Sequence, residues 1–344
     1  MTSSATEPTD AEIVRRVRER SGLQASDGGP SDDEIIQGVR GFAREFRFWY
    51  NRVLDEALRK YQVIIISRIN PMIRGMQLEG LSSSDAAARL IADYAHRNYV
   101  TAGGWALEQL AIAASPRLKK SLAAGVDAEW HEPGPPPIVN LYMIKSSTVT
   151  RNSDILKALK SHGQDAHKRL IQTDKRAVVR VYYIVTSGAK SSTYHDGVYR
   201  PSSAEFWAQT FALDHDEKLA IDLALAMAQE AGVLLRQFAN EGILRALETA
   251  VGAYIARNDD PDVVDWEFLA ERNMIGSDES KAAGKTRHAR AQKAVKDAGY
   301  KWPTNKSSKA GDDSAVQAAA LAKAAAELTP EMQDELSLIL PDTD

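Results

Sequence analysis

The sequence predicts an α/β fold: a small mixed sheet flanked by helices, with helical elaborations on its N- and C-terminal sides. Three observations carry this. The middle of the chain reads helix–strand–strand–helix–strand. The run "AVVRVYYIV" at 177–185 is rich in β-branched and aromatic residues and bounded by turn formers, as a buried strand is. Long segments on either side repeat apolar residues at helical spacing, which argues against a barrel or sandwich. The 344 residues, 44% hydrophobic and 26% charged, suffice for a substantial core.

In chain order, residues 1–33 are polar and Ser/Asp/Gly-rich and read as a flexible arm, with at most a short helix at 10–20. A helical N-terminal region spans 34–100. It opens with Ser31 as N-cap and Glu34 three residues on. Ile35, Val39, Phe42, Phe46, Trp49 and Val53 then form one apolar stripe, while Arg40, Arg44 and Arg47 line a solvated neighbouring face. Pro71 argues against helix through "VIIISRINP", and a capped helix follows over 84–98. The region 101–215 holds a helix at 102–114 entered through Gly103 and Gly104, a hairpin around the proline turn "EPGPPP", a helix at 152–172, the 177–185 strand and a helix at 203–211. A C-terminal helical region, 216–277, contains a helix at 216–257 with a break marked by Gly232 or Gly242, then a short helix in "VVDWEFLAERN".

The tail, 278–344, is basic and then acidic. Between Lys281 and Lys309 nine Lys/Arg stand against Asp297, and from Asp312 onward eight acids stand against Lys323. A basic block of this kind suits a polyanion, although a solvated tail satisfies the charge pattern equally well. The tail ends in an Ala-rich helical pattern. No apolar run reaches the roughly 20 residues that a bilayer span needs, and the N-terminus lacks an apolar leader, so a cytoplasmic protein is expected. The absence of cysteine excludes disulfides, a thiolate nucleophile and cysteine-ligated zinc.

The hairpin "GVDAEWHEPGPPPIVNLYMIKSS" carries the chemistry. Strand alternation puts Val139, Leu141, Met143 and Lys145 on one face, and Asp127 shares a face with Glu129. A turn symmetric about Pro135 would set Asp127 opposite Met143, with Lys145 diagonal to it. Phosphodiester hydrolysis needs a divalent ion with oxygen ligands, and a lysine beside it can orient or deprotonate water. Asp127 is one ligand, Glu108 and Glu129 are candidate second acids, and the Ile144 carbonyl is a neutral one. Met143, a soft thioether, cannot replace a carboxylate toward Mg²⁺. On spacing alone, an ordinary hairpin is the more economical account.

The segment "GVDAEW…IVNLYMIKSSTVTRNSDILKALKSHGQDAHKRL" resembles the PmeII-like group of type II restriction endonucleases, within the PD-(D/E)XK nuclease superfamily. That group has a Gly-hydrophobic-Asp-x-Glu strand, a strand ending Ile-Lys-Ser, an Asn-Ser turn and a Lys-rich helix. The likeness extends to the Asn-Pro segment at 70–71, "SSAEFWAQTFALD" and "VVDWEFLAERNMIG", covering roughly 35–277. It implies a restriction-endonuclease-like core and Mg²⁺- or Mn²⁺-dependent, site-specific cleavage of double-stranded DNA by a homodimer, with a cognate methyltransferase acting on the same site. Asp127 matches the metal-binding acid, Lys145 the catalytic lysine and Glu108 the acid of the preceding helix. Asn152 and Ser153 fall at the turn after the lysine. Met143 departs from the pattern, since superfamily members usually carry Glu, Asp or Gln there. That leaves a catalytically weakened DNA-binding protein as the alternative.

Lys190, in "VTSGAKSST", is a candidate phosphate contact, but the segment lacks the glycines of a nucleotide loop. Lys285, Arg287 and Arg290 are the candidate DNA contacts in the basic segment. His162 and His167, five apart, share no helix face and carry no zinc pattern. Trp49, Trp105 and Trp207 sit in apolar helical contexts and read as core rather than as base-stacking platforms.

Overall fold

The computed structural model describes residues 7–303, except 122–124, 133, 147–156, 158–160, 166, 170–171, 173–175, 177, 196 and 237–240. The chain divides into two units, Met1–Trp302 and Pro303–Asp344, and every element named below belongs to the first. The Ala-rich helix expected near the C-terminus lies outside the described residues, as do most residues of the 152–172 helix.

Helix α1 (Asp10–Ser21) starts at a Thr9/Glu12 capping box and ends at Gly22. Gly22 has φ +80°, a left-handed conformation that favours glycine. Its stripe Ile13, Val14 and Val17 is buried in the main core. Within the expected 1–33 arm, α1 is an integral wall of the fold rather than a loose segment. Helix α2 (Asp32–Ile64) begins at the expected Ser31/Glu34 box. It runs about 50 Å at 1.5 Å per residue before ending short of α3 (Pro71–Leu78), where Pro71 sits in the first turn and Asn70 caps it. Helix α4 (Ser83–Ala113) is one helix of 31 residues rather than two. Gly103 and Gly104 do not break it because packing along α2 outweighs a propensity cost of about 1 kcal/mol each.

A six-stranded sheet follows, ordered β1–β2–β3–β4–β6–β5. Its strands are β1 (Lys119–Lys120), β2 (Ala128–Glu132), β3 (Ile138–Lys145), β4 (Val178–Val185), β5 (Thr193–His195) and β6 (Val198–Arg200). β1–β2–β3 pair antiparallel, β3–β4 and β4–β6 parallel, and β5–β6 antiparallel. The hairpin register is the expected one, with Ala128 opposite Tyr142 and Glu129 opposite Leu141. β3 and β4 run in step, Lys145 beside Val185. A parallel neighbour requires a crossover, and helical residues at 161–165 lie within it.

Both faces of β3 are covered, so its apolar run is nearly continuous. Tyr142, Ile144 and Ile184 face the main core, which α1, α2, α4, α5 (Ser203–Thr210) and α6 (Glu217–Arg236) complete. On the opposite face Val139, Leu141 and Met143 join Val179, Val181, Tyr183 and Val185. Gly163 is buried against this face: a Cβ there would come within 2.9 Å of the Val181 side chain.

A second core lies around α7 (Glu241–Ile255), α8 (Trp266–Ala270) and α9 (Asp278–Asp297), packed on the C-terminal half of α2 and the start of α4. The helical stretch expected at 216–257 is described as α6 and α7, and residues 237–240 between them lie outside the described residues. No helix among the described residues is long and apolar enough to cross a membrane.

Candidate functional site

Asp127 lies one residue before β2, where the strand leaves the sheet. Its N–H donates to the Tyr142 carbonyl at 2.9 Å, and its Oδ2 accepts the Ile144 N–H at 2.6 Å. The carboxylate is thus pinned across the last residues of β3. Lys145, the final residue of that strand, holds its Nζ 3.7 Å from the same Oδ2 and is 44% exposed. The acid and the lysine therefore meet at the open end of the sheet, as the hairpin spacing predicts.

Glu108 arrives from α4. It is buried, and its Oε1 accepts from Lys120 Nζ at 2.7 Å. Burial pushes its carboxyl above the ordinary carboxylate range; the Lys120 bond pulls the other way, and the Asp127 charge adds to the rise. Lys145 also acts on it electrostatically. Two carboxylates and two ammonium groups thus share one small region. Lys120 went unnoticed in the sequence, where the only hint is the basic pair "KK" ahead of the hairpin.

Glu129 does not join this group. Its Oε2 accepts from Ser121 Oγ at 2.8 Å and its Oε1 lies 3.1 Å from His131 Nε2, so it is occupied one pleat farther along the hairpin. Among the described residues no cluster of three or more His, Cys, Asp or Glu is set to hold a metal. Asp127 and Glu108 remain, a like-charged pair of hard oxygen donors, with the Ile144 peptide tied to Asp127. Such a donor set suits Mg²⁺ or Mn²⁺, since Mg²⁺ is commonly held by one or two carboxylates with water and phosphate completing the shell. Met143 is 1% exposed and packs with Tyr183, Val185 and Ala189. It fills an apolar pocket where an acid would be desolvated.

Lys190 is exposed beyond the end of β4, on the same sheet edge as Lys145. Its loop is fixed by Ser203, whose Oγ accepts the Ala189 N–H at 3.0 Å. Asn152 and Ser153 lie outside the described residues. Lys285 is exposed on α9.

Arg287 is buried away from solvent, and Arg290, half-buried, is engaged by backbone carbonyls. Arg287 is 3% exposed; it donates to the carbonyls of Tyr254 and Ala256, pairs with Asp265 and stacks 4.1 Å over Phe268. Arg290 donates to the carbonyls of Ala253 at 2.8 Å and Ala256 at 2.6 Å. Both guanidinium groups satisfy the orphan carbonyls at the end of α7, where a positive charge also complements the helix dipole.

Of the three tryptophans expected in the core, Trp207 is buried. Trp105 is not: it is 46% exposed and stacked on a half-buried Trp49.

No protein-family model matches the chain, and no curated protein matches it. The fold and site define a mixed α/β protein with an acid–lysine pair at the open end of its sheet.

Proposed function

We propose that the chain is a Mg²⁺-dependent endonuclease of the restriction type, cutting double-stranded DNA at a specific site. The observation that carries this is Lys145 at 3.7 Å from Asp127, on a sheet end that a buried Glu108 also reaches. Asp127 and Glu108 would hold the divalent ion, with the Ile144 carbonyl as neutral ligand. Bound there, the ion would neutralise charge on the phosphate and acidify water. Lys145 orients the attacking water and offsets negative charge as the phosphorane forms. Lys120 opposes the effect of burial on the Glu108 carboxyl. Lys190 would meet a backbone phosphate.

A dimer cutting both strands of a palindromic site follows from this reading, as do a cytoplasmic location and a companion methyltransferase protecting host DNA. Plasmid linearisation with Mg²⁺, abolished by Asp127→Ala or by Lys145→Ala, is the expected result. Tight DNA binding without cleavage under any metal or salt condition would sink the reading.

The packing of Met143 favours a second reading, a nuclease scaffold that binds DNA but has lost most of its chemistry. Met143→Glu should then raise cleavage while costing about 2–4 kcal/mol in the absence of metal, because the new carboxylate enters an apolar pocket. Thermal melts with and without Mg²⁺ check this, and the ion should restore more stability to the variant than to the wild type.

A further inference from the structure

Two long helices bring an aromatic patch to the surface next to the site. Trp49 and Trp105 stack at 5.2 Å with 22° between their planes. Arg52 lies over the Trp49 ring at 5.4 Å, and Phe48 meets its edge. Trp105 is 46% exposed, Phe48 48% and Tyr99 54%. Tyr99 is tied to the patch through Phe46 and Tyr50. A stack formed only to join α2 and α4 would bury its rings, as Phe46 and Tyr50 are buried.

The patch is continuous with the candidate site. Trp105 precedes Glu108 by three residues on α4, so the two are neighbours on one helix face, about 5–6 Å apart at Cβ. Gly104, beside Trp105 on the helix, approaches the sheet end closely: a Cβ there would stand 3.0 Å from Ser146 Oγ, directly after Lys145. Arg44 is exposed on the same stretch of α2.

Exposed π-faces with arginine, one helical turn from a phosphate-cutting centre, match unpaired bases and not an intact duplex, whose bases are already stacked. We infer that Trp105 is the outer surface of a stacking platform for an unpaired DNA base flanking the scissile phosphate. The substrate in the site is then DNA opened locally at the cut, and the inference rests on the nuclease reading above.

Fluorescence anisotropy with the full chain and Ca²⁺ in place of Mg²⁺ tests it. The probes are labelled duplexes that are fully paired or carry a three-base mismatch, and a labelled single strand. Trp105→Ala should weaken binding to the mismatched duplex and the single strand by roughly fivefold to a hundredfold. Trp105→Phe should recover most of that loss. The slope of log affinity against log salt should not change, because no charge is removed. Equal affinity of wild type and Trp105→Ala for the mismatched duplex, with plasmid cleavage intact, overturns the platform alone. Failure of the wild type to bind any probe overturns the platform and the nuclease reading together.

Discussion

Glu108 shows how much one residue can concentrate. Its carboxyl is raised by burial, so the folded state holds its proton more tightly than the unfolded chain does. Such a group contributes stability below its unfolded pKa and withdraws it as pH rises through the folded value. Glu108→Gln should therefore gain stability relative to the wild type between about pH 4 and pH 8. Lys120 loses a partner in that variant, but its side chain is 62% exposed, so the loss is small. Melting temperatures at the two pH values check the sign, and cleavage should fall in the same variant. Asp127 and Lys145 were legible in the sequence because a strand alternates strictly, and a symmetric turn fixes which residues face each other. Lys120 was not, since a two-residue strand leaves no periodicity to read. The burial of Arg287 and the carbonyl contacts of Arg290 are not legible for a related reason. Charge pattern records that a cation exists, but not whether it points at water or at the orphan carbonyls of the next helix.

At the scale of elements, α1 is the sharpest difference from expectation. Its polar flanks disguise a three-residue apolar stripe, and its anchor is invisible in one dimension. Glu230, on α6, is fully buried and receives Arg16 and Arg20 of α1 at 3.0 Å each. Both arginines reach solvent, with side chains 32% and 40% exposed, but the carboxylate does not. Arg16→Ala with Arg20→Ala should strand that charge and cost about 3 kcal/mol, whereas a free arm would cost nothing. Urea unfolding of the double variant measures it. The break expected in α4 at Gly103 and Gly104 is absent for the opposite reason, because the partner helix beneath it outweighs local propensity. The strands at 177–185 and 138–145, both rich in branched and aromatic residues, were read nearly to their ends.

For the whole molecule, the mixed sheet with helices on both sides agrees with the α/β expectation, and the acid–lysine pair stands at one end of that sheet. The basic segment now divides in two. Lys285 is exposed, while Arg287 and Arg290 are structural. Lys285→Ala should lower the salt slope of DNA binding by about one unit if it meets a phosphate. Arg290→Ala should leave the slope unchanged and lower the melting temperature. Salt titrations of both variants against one duplex separate the two roles.

The hairpin that holds Asp127 and Lys145 has a second end. Its turn, with Gly134, Pro135 and Pro136 exposed, leads into Ile138, which stands seven residues from Lys145 along β3, roughly 23 Å at strand spacing. The acid–lysine pair and the turn are thus tied by one hydrogen-bonded ladder while remaining far apart. A fluorophore or affinity handle placed at Pro136 would report from the far end of the strand that carries Lys145, giving a fixed reference point from which distances to a labelled DNA probe can be measured.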